Sequence, residues 1–146
     1  MKTKLLLVED DAVHCALAEV LQGEGYDVLH AFGPADAMLA TQLNEEIGLV
    51  LLDLNLSGEN GWDVFERLTR SNPLLPIVII TARSDQRGFA EAAGVGALME
   101  KPLNIQRLLE LIAQLISERP AERIARLAGH APYTLYSESR EHSSNT

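Results

Sequence analysis

The stretch GLVLLDL, residues 48–54, decides the fold. A continuous run of Leu and Val this short cannot make a helix of useful length. It reads as a strand buried on both faces, and it delivers a carboxylate, Asp53, at its end. The pattern recurs on either side. LLLVEDD, residues 5–11, runs four apolar residues into three acids. Residues 75–80 form an apolar stretch that stops at Thr81. Residues 97–99 form a shorter one that stops before Lys101 and Pro102, and residues 26–31 supply a further strand.

Helical spacing fills the gaps. Val13, Ala16, Leu17, Val20 and Leu21 predict a helix over 12–23, with Asp11 as its cap and Gly23 and Gly25 at its end. Pro34 opens a second helix, with Ala37, Met38, Ala40 and Leu43 available for packing. Gly61 to Arg70 supply a third, in which Trp62, Val64, Phe65 and Leu68 share a mostly apolar face. A short helix is expected at 86–93 and a strong one at 104–118. Strands alternating five times with helices imply an α/β protein, a parallel sheet with helices on both faces. The last helix carries Ile105, Leu108, Leu109, Leu111, Ile112, Leu115 and Ile116 over nearly half its circumference. Burial accounts for most of that surface, and its outer edge is a candidate contact surface.

Composition narrows the function. The chain has 146 residues, 47% of them apolar and 23% charged, enough for a real core. A net charge of −9 argues against direct nucleic-acid binding, which needs a basic patch. A single cysteine, Cys15, excludes an intrachain disulfide and reads as a small apolar filler. The longest apolar run, residues 74–80, is far short of the ~20 residues of a membrane helix. The opening MKTKLLLVED is no signal peptide. A cytoplasmic protein with no membrane association is expected. His14, His30, His130 and His142 show no ligand spacing, Trp62 and Phe65 read as packing residues, and Asn60-Gly61 reads as a turn.

In open α/β sheets function gathers at the carboxyl ends of the strands. There the chain places Glu9, Asp10, Asp53, Thr81 and Lys101. Packed carboxylates repel. A hard divalent cation such as Mg²⁺, with Lys101, would offset that repulsion and leave room for an anion. Asp53 is a candidate nucleophile, because a carboxylate is already ionised at pH 7. A phosphoryl group is the anion that Lys101 and the Thr81 hydroxyl suit.

Four stretches in order, LLLVEDD, VLLDLNLSGENGWDVFERL, IVIITA and ALMEKPL, carry a resemblance over residues 1–118. The chain resembles the receiver domain of bacterial two-component response regulators. The resemblance implies a flavodoxin-like, doubly wound, five-stranded parallel sheet of order 2-1-3-4-5. It implies Asp53 as phospho-acceptor, and Glu9, Asp10, Asp53 and the Asn55 backbone carbonyl as ligands of Mg²⁺ (or Mn²⁺). It makes Thr81 the switch hydroxyl, Lys101 the phosphate-contacting lysine, and the Lys101–Pro102 bond cis. Asn55 and Arg83 fall where the rate of hydrolysis is tuned. The implied partner is a sensor histidine kinase or a histidine phosphotransfer protein. The implied role is a signalling switch that assists its own phosphorylation and dephosphorylation, not an enzyme acting on other substrates. The 98–118 face would serve a homodimer or an effector contact.

Three features depart from the family pattern. Leu98 stands at the switch position where Tyr or Phe is usual. Ser57 replaces a common proline. Residues 119–146 form an extension, a short helix and then a flexible tail, too short for a typical output domain. Rival readings remain. An aspartyl-phosphate phosphatase would need a second Asp where Asn55 stands. A flavin-binding flavodoxin would not carry the acidic loop EDDAVH at 9–14. A receiver-like binding module that is never phosphorylated is kept open by Leu98.

Overall fold

The computed structural model describes residues 3–9, 15–43, 46–56, 59–83, 85–86, 95–127 and 135–137. Asp10, Asp11, His14, Ser57, His130 and His142 lie outside the described residues. So does the helix expected at 86–93, apart from Gln86. The chain divides between Leu75 and Pro76 into two compact units.

The first unit contains β1 (Lys4–Val8), α1 (Cys15–Gly23), β2 (Asp27–Ala31), α2 (Pro34–Leu43), β3 (Ile47–Asp53) and α3 (Gly61–Ser71). β1 lies between β2 and β3, parallel to both, which gives the order 2-1-3. Leu5 to Val8 are buried, as are Leu49 to Leu52. Their continuous apolar character follows, because a central parallel strand meets protein on both faces. α1 turns Leu17 and Leu21 inward, but Val20, also expected to pack, is exposed. α2 departs further: only Ala37 is buried, and Leu43 is 73% exposed. Leu43 lies six positions after Ala37, about 120° round the helix, so the two cannot share a face.

Asn55–Leu56 pairs antiparallel with Glu59–Asn60. Asn60 does not simply mark a turn. It caps α3, its side-chain oxygen accepting the Trp62 N–H at 2.9 Å, which satisfies one of the open donors of the first turn. Gly61 is required by space. A Cβ there would stand 2.5 Å from the Leu54 Cα and 2.9 Å from its carbonyl oxygen. Val64, Phe65 and Leu68 are buried, and Trp62 meets Phe65 edge to face at 5.6 Å.

The second unit contains β4 (Ile77–Thr81), β5 (Ala97–Glu100), α4 (Ile105–Ile116), α5 (Pro120–Leu127) and β6 (Leu135–Ser137). β5 lies between β4 and β6, parallel to both. The observed orders 2-1-3 and 4-5 are consecutive runs of the expected 2-1-3-4-5. β6 is an addition, in the stretch read from the sequence as a flexible tail. Asn104 caps α4 by accepting the Arg107 N–H at 3.1 Å. Leu108, Leu111, Ile112 and Leu115 are buried, while Ile105 is partly exposed on the outer edge. Among the described residues no helix is long and apolar enough to cross a membrane.

Candidate functional site

In the first unit the parallel register sets the geometry. Val8 pairs with Leu52, so the next residues along, Glu9 and Asp53, leave neighbouring strands at the same level. Both are almost fully buried, at 1% and 4% exposure. The Glu9 N–H donates to the Ala31 carbonyl at 2.9 Å, extending the ladder one step past β1 and fixing where its side chain departs. Asp53 Oδ1 accepts the backbone N–H of Asn55 at 2.8 Å. That bond leaves the Asn55 carbonyl as a separate acceptor. Two buried carboxylates at adjacent strand ends are a donor set that suits a hard cation. Asp10, the third expected acid, lies outside the described residues, and no trio of His, Cys, Asp or Glu grouped to hold a metal occurs among the described ones.

Spacing along the chain did not single out His30. It sits on β2 opposite Leu7, and its Nε2 lies 3.5 Å from Glu9 Oε1. Its ring stacks on Phe32 at 4.3 Å. Burial lowers the His30 pKa below its ordinary value. No sequence signal links residues 9 and 30; the pairing of β1 with β2 creates the contact.

In the second unit Thr81 and Lys101 are neighbours. Thr81 pairs with Glu100 across the β4–β5 ladder, and the Lys101 N–H donates to the Thr81 carbonyl at 2.8 Å. The Thr81 hydroxyl, 2% exposed with its residue, accepts the Arg83 N–H at 3.0 Å. The Lys101–Pro102 peptide is cis, as expected. Arg83 turns its guanidinium to Asp85 at 2.9 Å, on the surface. Gln86 first, then Arg83, holds the Asp85 carboxyl below its usual range. Leu98 is fully buried in β5.

Comparison with known proteins gives this arrangement its family. The family model for the response regulator receiver domain matches residues 5–113. The transcriptional regulatory protein ZraR of Salmonella typhimurium is 34% identical over 120 residues, 80% of this chain and 27% of that protein. The response regulator ArlR of Staphylococcus saprophyticus is 32% identical over 130 residues, 87% of this chain and 58% of that protein. A CheY-like receiver domain from Methanospirillum hungatei superposes with a TM-score of 0.74 at 28% identity, covering 84% of this chain and 99% of that one. The response regulator TrrA of Thermotoga maritima, solved in complex with Mg²⁺ and BeF, gives 0.69 at 28% identity, covering 79% and 99%.

The chain therefore belongs to the response regulator receiver domain family. It has that family's α/β, flavodoxin-like fold. It spans less than two thirds of the length of ZraR and ArlR.

Proposed function

We propose that this receiver takes a phosphoryl group onto Asp53 from a phosphohistidine on a sensor kinase or a phosphotransfer protein. The observation that carries the reading is the level placement of Glu9 and Asp53 at the ends of paired strands, both buried. Burying two carboxylates side by side is costly unless a cation is bound there. Glu9, Asp53, the Asn55 carbonyl and, by resemblance, Asp10 would hold Mg²⁺. The ion supplies positive charge to the transferring oxygens.

The chain's own groups do the rest. Asp53 attacks the phosphorus through a carboxylate oxygen as the P–N bond to the donor histidine breaks, and an acyl phosphate forms. The Asn55 N–H, bonded to Oδ1 at 2.8 Å, holds the carboxylate in place for the transfer. By resemblance the Lys101 ammonium pairs with the phosphoryl oxygens, and the Thr81 hydroxyl turns to them. Turning it moves the oxygen that accepts the Arg83 N–H at 3.0 Å. That movement links the phosphorylated state to the backbone after β4, which gives the protein two states to move between. Water attacking the acyl phosphate resets the switch, and by resemblance Asn55 and Arg83 tune its rate. The protein is a switch in the cytoplasm, not a turnover enzyme, and the 98–118 face offers its output to a second copy or an effector.

Incubation with acetyl phosphate and Mg²⁺ should add the mass of one phosphoryl group. Asp53→Asn or excess chelator should abolish the gain. An equal gain in Asp53→Asn would overturn the assignment. Steady release of phosphate from small esters would favour a phosphatase instead.

A further inference from the structure

β5 has a neighbour on each side. On one side β4 pairs Val78 to Thr81 with Ala97 to Glu100. On the other, β6 pairs Leu135, Tyr136 and Ser137 with Ala97, Leu98 and Met99, also in parallel. A strand with a bare edge offers a row of backbone donors and acceptors to any extended chain. Here the chain's own extension covers that row. We propose that the outer edge of β5 at residues 97–99 is a strand-addition site, that its resident occupant is the segment Leu135–Ser137, and that this occupant can be displaced.

Three observations support it. The covered residues Ala97, Leu98 and Met99 are completely buried, so the strand beneath is a rigid template. Among the described residues the cover makes three residue pairs, below the usual strand length of about 5–6 residues. A ladder of that length belongs to the easily opened end of the stability range. The sequence around it, Thr134-Leu135-Tyr136, has the β-branched and aromatic character that favours an extended segment. A tethered segment also outcompetes free rivals through its high effective concentration, so a weak strand can still hold its place.

Position gives the site its meaning. Met99, paired to β6, is two positions before Lys101, whose N–H is bonded to the Thr81 carbonyl. A shift of Thr81 pulls on the same end of β5 that β6 covers. This coupling rests on the phosphorylation switch proposed above; the strand-addition site itself does not. Occupancy by Leu135–Ser137 would then be weaker in the phosphorylated state, freeing the edge for an extended segment of a partner.

Proline substitution in the full chain provides the test. Along a strand, successive N–H groups point to opposite sides. Of Leu135→Pro and Tyr136→Pro, one therefore removes a donor to β5 and the other removes one facing away. Hydrogen exchange at residues 97–99 should quicken at least tenfold in one variant and stay within threefold of wild type in the other. Exchange at residues 4–8 should be unchanged in both. A labelled peptide of residues 130–142 should bind the disrupted variant and not the wild type. Unchanged exchange at 97–99 in both variants would overturn the proposal, as would equal peptide binding to wild type.

Beryllofluoride with Mg²⁺ separates the two readings. Slowed exchange at 53–56 with faster exchange at 97–99 is expected, and neither change in Asp53→Asn. A change at 53–56 alone would overturn the coupling. No change at 53–56 would count against Asp53 as acceptor, and the proline and peptide results would still decide the strand-addition site.

Discussion

The backbone N–H of Lys101 is bonded to the carbonyl of Thr81 at 2.8 Å. The two residues are twenty positions apart in sequence, and the β4–β5 ladder makes them neighbours. Their side chains serve one proposed task, so a bond between their main chains ties the hydroxyl and the ammonium to one rigid element.

Thr81→Ala should remove the acceptor of the Arg83 N–H from a buried position. Loss of stability by about 1–2 kcal/mol is expected, read from urea unfolding. Thr81→Ser keeps the oxygen and should recover most of it. Both variants should still gain the phosphoryl mass. Only Thr81→Ala should lose the exchange changes that beryllofluoride causes outside residues 53–56.

Leu98 occupies a fully buried site, so installing the aromatic residue usual in the family should not be neutral. Leu98→Tyr overfills the core and should cost roughly 1–3 kcal/mol. Leu98→Ala leaves a cavity and should cost about 2–5 kcal/mol. Chemical denaturation of both would check this. A stabilised Leu98→Tyr would show that β5 has room for a ring beside it.

Gly61→Ala drives a methyl group to within 2.5 Å of the Leu54 backbone. Backbone cannot swing aside as a side chain can. A loss of about 1–3 kcal/mol is expected from the overpacking, together with slower phosphoryl uptake, because Leu54 adjoins Asp53. Thermal unfolding and the mass-gain time course would read the two effects.

The two helix caps should be worth about 1 kcal/mol each. Asn60→Ala removes the acceptor of the Trp62 N–H, and Asn104→Ala that of the Arg107 N–H. Replacing either with Asp should keep most of the stability, because the capping oxygen is retained. Equal unfolding midpoints for Asn60→Ala and wild type would show that α3 is held by packing alone.

Much of this was legible in the residues themselves. Continuous apolar runs such as Leu49 to Leu52 mark strands buried on both faces, because no other element of that length stays apolar throughout. Glu9, Asp53 and Thr81 were legible as strand-end residues because each follows such a run directly, and Lys101 because a single residue separates it from one. Other features were not. Leu43 carries no mark that separates an inward leucine from an outward one, and α2 has apolar residues all round. Asn60 looks like a turn residue until its side chain is seen bonded to Trp62. The contact of His30 with Glu9 depends on strand pairing, which no local pattern encodes.

By itself, then, the order of residues determined the alternation of strand and helix and the chemistry placed at each strand end. These depend on local periodicity and side-chain type. The tertiary structure alone decided that Glu9 and Asp53 leave their strands at one level, that His30 meets Glu9, and that Leu135–Ser137 lies along β5. Register and edge pairing are long-range matters. They are settled by which backbone donors and acceptors are left open once the strands have formed, and local side-chain type does not encode which edge a segment will meet.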